Sequence, residues 1–238
     1  MRRARRPDVH EVRYDAAVSE IGRDRAGLEQ VSELTTARLS VYLRCLEALD
    51  AAGVNTVSSQ GLATQFQLNA AQIRKDLAHF GEFGIRGVGY YVKDLRRHLR
   101  QILGLDRSIK VVIVGAGNLG LALADYPGFR QDGFDVVALL DTAREKIGSY
   151  SRSGVAIRHV RELERLVERE RIDIAVISVP AGAAQESVDA VVDAGVRAIL
   201  NFSPGTLRVP SHVKLKHMDL TVTFESLSFF LANGHVDA

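Results

Sequence analysis

Cysteine is almost missing from this chain, and that lack narrows the field first. Cys45 is the single cysteine among 238 residues, so no internal disulfide framework is available and a reducing cytoplasm suits the protein. No uninterrupted apolar run approaches the length of a membrane span. The basic opening Met1-Arg2-Arg3-Ala4-Arg5-Arg6-Pro7 is followed by no hydrophobic region, so no secretory signal is expected. Internal repeats and low-complexity tracts are absent as well. What remains has the composition of a folded chain, 46% hydrophobic and 25% charged, in a length that holds one large or two modest domains.

The net charge of +2 conceals a mild polarity. Residues 1–106 carry 16 Lys and Arg against 13 Asp and Glu, whereas residues 107–238 carry 15 against 16. The first half permits a nucleic-acid partner without establishing one.

Residues 1–33 show no sustained apolar face and read as a basic, mobile extension, either an inert solvated tail or a source of salt-sensitive phosphate contacts. Leu39, Leu43, Leu46 and Leu49 then recur at helical spacing, with Thr35 or Thr36 as the cap and Gly53 as the stop. Ser58-Ser59 opens a second helix carrying Leu62, Ala63 and Phe66. After the turn Gln67-Leu68-Asn69 a third helix is predicted over 70–80, with Ile73, Leu77 and Phe80 on one face. Such a trio is a helix-turn-helix unit. The glycines of 81–92 punctuate short β-prone stretches, as a hairpin wing requires, and an amphipathic helix over 93–103 leads to a boundary near 106–109.

Beyond that boundary, apolar runs at 110–114, 136–140, 174–179 and 198–200 alternate with helical stretches that include 160–170 and 184–194. Runs apolar throughout suit strands buried on both faces, so an α/β, doubly wound parallel sheet of Rossmann type is expected. Gly115-Ala116-Gly117-Asn118-Leu119-Gly120 follows the first of these strands and precedes a helix. In that position Gly115 makes the tight turn, Gly117 lets backbone approach a pyrophosphate, and Gly120 lets helix pack on strand. The second strand ends in Asp141, placed to accept hydrogen bonds from an adenosine ribose and to repel a 2′-phosphate, or else to serve as a turn residue. Arg144, three residues on, leaves some NADP tolerance open. Val179-Pro180 and Asn201, at later strand ends, would wall the nicotinamide side. No paired acid and base accompanies them, so no catalytic residue and no metal site is assigned.

In the third helix, Ile73 and Leu77 anchor a face from which Gln72, Lys75 and His79 project outward, with Arg74 on the flank. Arg and Lys on such a helix neutralise phosphates or donate to guanine in the major groove. Arg86, in the wing, is placed for an adjacent minor groove.

Taken together, several stretches resemble the Rex family of redox-sensing transcriptional repressors. They are Val57-Ser58-Ser59, Ile73-Arg74-Lys75-Asp76-Leu77 with Phe80-Gly81, Arg86-Gly87-Val88-Gly89-Tyr90, the glycine loop, Asp125-Tyr126-Pro127-Gly128-Phe129, Val179-Pro180 with Ala183-Ala184-Gln185, and Leu200-Asn201-Phe202. The resemblance implies a winged helix over 34–106 and a Rossmann domain over 107–222, with an exchanged C-terminal helix and tail over 223–238. It implies a homodimer that holds an inverted-repeat operator when NADH is scarce and releases it as NADH accumulates over NAD+. Ser58 and Ser59 join the DNA-contacting set, and Arg44, Tyr126 and Asp219 match the family's switch positions. Ala78-His79 departs from the Ser-Tyr that the family often carries, and the N-terminal extension is longer than in many members. An NAD-dependent oxidoreductase with an accessory domain is the enzymatic alternative, and a regulator that binds CoA or another metabolite is a third.

Overall fold

In the computed structural model, which describes residues 31–233, the first helix begins a turn earlier than the leucine spacing predicts. Helix α1 (Glu33–Ala51) is capped by Ser32, whose hydroxyl accepts from the Thr35 amide at 3.1 Å. Glu33 in the first turn complements the positive end of the helix dipole. Thr35 therefore lies inside the helix rather than at its cap, and a boundary at 33/34 cuts α1. The extension expected over 1–33 lies outside the described residues as far as residue 30. The chain divides into two compact units, Met1–Arg107 and Ser108–Ala238.

In the first unit α1 packs Leu39, Tyr42, Leu43, Leu46 and Leu49 into a single core with Leu62, Ile73, Leu77, Leu95 and Leu99. Ser58 caps α2 (Ser59–Phe66) by accepting from the Gly61 amide at 2.9 Å. Gln67, in the left-handed region at φ 55°, closes α2. Asn69 caps α3 (Ala70–Ala78) by accepting from the amides of Ala71 and Gln72. The tight turn between two short helices thus follows from one residue that tolerates left-handed backbone and one good cap. Strands β1 (Thr56–Val57) and β2 (Tyr90–Tyr91) pair antiparallel, and the wing before β2 closes through an Ile85–Gly89 bridge. Gly89 has φ +98°, and a Cβ there would lie 2.5 Å from the Val57 carbonyl oxygen, so only glycine lets the wing base meet β1. Helix α4 (Val92–Ile102) follows and ends before Gly104.

The second unit holds six parallel strands in the order β5-β4-β3-β6-β7-β8. They are β3 (Ile109–Val114), β4 (Phe134–Asp141), β5 (Ile157–His159), β6 (Ile174–Ile177), β7 (Ala198–Asn201) and β8 (Lys214–His217). Helices α5 (Asn118–Ala124) and α6 (Pro127–Gln131) follow β3. Helix α7 (Leu163–Glu170) follows β5, and α8 (Ala181–Asp193) follows β6. In β3, Val112 and Val114 face one apolar layer with Leu166, Val188 and Val191, while Val111 and Ile113 face the other with Ala124 and Leu139. That alternation between two buried faces explains why the strand is apolar at nearly every position. The edge strands β5 and β8 escape the sequence patterns because each is short and β8 interleaves Lys214 and Lys216 with Leu215, as exposed edges do. Strand order reverses direction between β3 and β6, which makes the carboxyl ends of those strands the crevice where this architecture takes ligands.

Helix α9 (Leu220–Asn233) ends the described chain, so a boundary at 222/223 falls inside it. None of its residues is buried: Phe224, Leu227, Phe229, Phe230 and Leu231 are 56–79% exposed.

Candidate dinucleotide site and nucleic-acid interface

The crevice is built where β3 turns into α5. Gly115 has φ +106°, and a Cβ on it would lie 2.5 Å from the Ser178 carbonyl oxygen. A Cβ on Gly120 would lie 1.9 Å from the Gly115 carbonyl oxygen, so the turn and the close packing of α5 both demand glycine. At Gly117, by contrast, nothing stands within 4 Å of the place a Cβ would take. That is the open backbone a pyrophosphate needs. Gly117 is the N-cap of α5 and supplies no side-chain cap, so the first amides, Asn118 and Leu119, face outward without an intrahelical acceptor. Ser178, which opens the strand-end segment expected at the nicotinamide side, hydrogen-bonds the carbonyls of Val114 and Gly115 and buttresses the loop from β6.

A cleft of about 360 Å3 opens here, lined by Gly115, Gly117, Asp141, Thr142, Lys146, Ser178, Val179, Pro180 and Ser187 among others. Asp141 therefore stands at the ligand crevice, as expected, but its carboxylate is already engaged. It accepts from the Ala116 amide at 2.9 Å, the Ala143 amide at 2.9 Å and Lys146 Nζ at 3.2 Å. Burial alone would raise its pKa; the two amides and Lys146 outweigh it and hold the carboxyl below the usual carboxylate range. Asp141 thus serves as a turn residue and stands at the crevice at once. The Ala116 amide, held by Asp141, is turned away from phosphate duty. Arg144 is exposed and does not line the cleft; the cation there is Lys146.

Val179 and Pro180 line the cleft, whereas Asn201 does not. Asn201 is fully buried: its Nδ2 donates to the Ser203 carbonyl and contacts His217 Nδ1, both at 2.8 Å, and its Oδ1 accepts from the Ser203 amide. It orders the strand-end turn, and Ser203 Oγ in turn donates to the Val179 carbonyl at 2.6 Å. His159 serves as the cap of the short 3-10 turn before α7, accepting from the Arg161 amide. Among the described residues no group of three or more His, Cys, Asp and Glu could hold a metal ion. No helix among them is long and apolar enough to cross a membrane.

In the first unit, Arg74, Lys75 and His79 are exposed along α3, and Arg86 is exposed in the turn of the wing. Arg74 Nη1 donates to Ser59 Oγ at 2.8 Å, which joins α3 to the start of α2. Ser58 faces its own helix as a cap. Gln72 differs from expectation: it is half-buried, and its Nε2 donates to Asp76 Oδ1 at 2.7 Å. Asp76 is 4% exposed and gathers Arg38 through two bonds of 2.6 and 2.8 Å, the Tyr42 hydroxyl at 2.9 Å and Gln72. This cluster ties α3 to α1 and fixes the angle at which Arg74 and Lys75 are presented.

The remaining expected residues lie on exposed positions. Arg44 is exposed on α1, and Tyr126 is 58% exposed before α6, with its ring edge-on to Phe129 at 5.1 Å. Asp219 accepts from the Thr221 amide at the start of α9.

Residues 106–205 match the CoA binding domain family, and residues 30–78 match the family described as "Putative DNA-binding protein N-terminus". The redox-sensing transcriptional repressor Rex of Desulfitobacterium hafniense is 48% identical over 200 residues, which cover 84% of this chain and 95% of the relative. That of Thermus thermophilus is 47% identical over 204 residues, covering 86% and 95%. Among solved structures, RSP in complex with NAD+ and operator DNA superposes with a TM-score of 0.80 at 38% identity, covering 84% of this chain and 92% of that one. RSP in complex with NADH gives 0.75 at 37% identity, covering 85% and 94%. Identity of this order across more than four-fifths of the chain means that it belongs to the Rex family of redox-sensing transcriptional repressors.

Proposed function

We propose that this chain represses transcription by holding an inverted-repeat operator through α3 and the wing, and lets go of it when the glycine-loop cleft is loaded with NADH. The observation that carries the reading is the pairing, in one chain of this family, of an exposed basic helix-turn-helix face with a cleft shaped for a dinucleotide. The glycine turn that leaves Gly117 open fits a pyrophosphate. Asn118 and Leu119 offer it amides, Asp141 stands at the ribose end, and Val179 and Pro180 wall the far side. NADH and NAD+ bring the redox signal to this cleft as ligands, and the protein's part is to bind the two unequally. The dehydrogenase alternative is not favoured, because the family consists of repressors.

On the DNA side, Arg74 and Lys75 are the residues for phosphate and base-edge contact, with Ser59, Gln72 and His79 around them and Arg86 directed to a minor groove. Ser58 acts through the cap of α2. An inverted repeat calls for a two-fold protein, and α9 supplies the means: its exposed Phe and Leu side chains are covered by exchange with a second copy. Arg44, Tyr126 and Asp219 form the switch. The Asp219 carboxylate of one subunit pairs with Arg44 in the operator-bound form and with the Tyr126 hydroxyl in the NADH-loaded form. Work on operator DNA is the reason to expect the protein in the cytoplasm.

Selection of random duplexes on the full chain tests this reading. Without NADH, the enriched sequences should be inverted repeats with half-sites about one helical turn apart or a multiple of it. With NADH present, enrichment should collapse. Enrichment that NADH leaves untouched would contradict the proposal.

A further inference from the structure

The cleft contains a cation beside its aspartate. Lys146 lies in the turn after β4, five residues past Asp141, with its ammonium 3.2 Å from Asp141 Oδ2. Its side chain is 39% exposed and that of Asp141 13%, so the pair sits at the rim with the ammonium on the outer side. Both residues line the same cleft as Gly115 and Gly117, and among the described lining residues Lys146 is the only cation.

An aspartate at this strand end selects against a 2′-phosphate by its charge and by gripping the ribose hydroxyls. Here both effects are curtailed. A carboxylate offers about four lone-pair positions, and Asp141 already accepts from two amides and from Lys146. Room for about one further donor remains, so a grip on two hydroxyls at once is not available. The negative charge is also balanced locally, which weakens the repulsion a phosphate would feel. The group that would receive such a phosphate is already in place.

We propose that Lys146 is a second determinant of cofactor selectivity: the Asp141–Lys146 pair at the ribose end of the cleft holds an ammonium that takes a 2′-phosphate once the carboxylate's charge is removed. The inference rests on the dinucleotide reading of the cleft. Asp141 acts as the restraint and Lys146 as the latent receptor. Selectivity for NADH over NADPH is therefore set by the balance of the pair and not by the carboxylate alone.

Equilibrium binding of NADH and of NADPH to the full chain, measured by calorimetry on four proteins, tests it. Lys146→Met keeps the apolar stem and the amide bonds of Asp141 while removing the charge. It should weaken NADPH about three- to tenfold more than NADH, since the Asp141 charge is no longer balanced and repels the 2′-phosphate more strongly. Asp141→Asn should improve NADPH relative to NADH by about tenfold. That gain should shrink with added salt and vanish in the double variant. If Asp141→Asn fails to fold, Lys146→Met decides the matter by itself. A Lys146→Met variant that shifts both affinities by one common factor would make Lys146 merely structural and overturn the inference while leaving the cleft reading intact. A wild-type chain that binds neither dinucleotide would overturn both.

Discussion

Asp76 shows how much one residue carries in the winged helix. Its carboxylate is nearly buried and accepts from Arg38, Tyr42 and Gln72. Burial alone would raise its pKa, but these three partners outweigh it, and the folded value lies below the ordinary one. Asp76→Ala should lower stability by roughly 1–3 kcal/mol, because the Tyr42 hydroxyl and the Gln72 amide lose a buried acceptor. Calorimetric melting would register this as a lower Tm. Since the folded pKa is depressed, the contribution is complete above the unfolded value near ~3.9 and is lost as pH falls through the folded one. Asp76→Asn should therefore flatten the acid limb of the stability curve, and an unchanged limb would refute the assignment. Little of this was legible in Ile73-Arg74-Lys75-Asp76-Leu77: Gln72 stands one turn away, but Tyr42 and Arg38 lie 34 and 38 residues earlier. Cys45 is 7% exposed among leucines, and burial pushes its thiol up, away from the reactive thiolate. Cys45→Ser should retain NADH-dependent release of operator; loss of release in a folded variant would make the thiol a sensor after all.

At the scale of elements, the glycine loop was the most readable piece, because its spacing between strand and helix is itself the signal, although the neighbour that demands glycine at 115 is Ser178 at the end of another strand. Strand β3 was equally plain, since two buried faces leave the run Val111–Val114 apolar throughout. The start of α1 and the edge strands were not, because a cap at Ser32 and a pairing at Lys214–His217 depend on neighbours that periodicity does not reveal. Asn201 shows the same limit within the site: its position at a strand end was legible, while its use inside the fold was not. Two elements carry predictions. In α3, Lys75→Ala should weaken operator binding by about 1–3 kcal/mol if it reads a base, or reduce the salt slope by about one if it holds phosphate. Anisotropy titrations at several salt concentrations separate these outcomes, and no change in either quantity removes Lys75 from the interface. In α9, Phe230 is 63% exposed in the single chain. Phe230→Asp should shift the protein from dimer to monomer in sedimentation, because a charge cannot be accommodated in the apolar contact that exchange would bury. A dimer of wild-type strength would place the subunit interface elsewhere.

For the molecule as a whole, function lies in the coupling of two sites, each built within its own unit. A ligand shifts a two-state equilibrium only by its differential affinity for the two states, and couplings of roughly 1–3 kcal/mol, about 5- to 150-fold, are usual. The division into a DNA-reading half and a nucleotide-binding half could be read from helix spacing, the glycine loop and strand-helix alternation. The residues proposed to transmit the signal could not be read that way, and Arg44, Tyr126 and Asp219 entered through family resemblance. Tyr126 is exposed beside Phe129. Tyr126→Phe, which keeps the ring and removes the hydroxyl, should bind operator about as well as wild type but be released less by NADH. The most direct test of the whole account is the linkage itself. Operator affinity is measured by anisotropy at zero and saturating NADH, and NADH affinity is measured with and without saturating operator. The account predicts that NADH weakens operator binding by a factor in that range, that operator weakens NADH binding by the same factor, and that NAD+ does so far less. Operator affinity that stays constant as NADH goes from absent to saturating would contradict it.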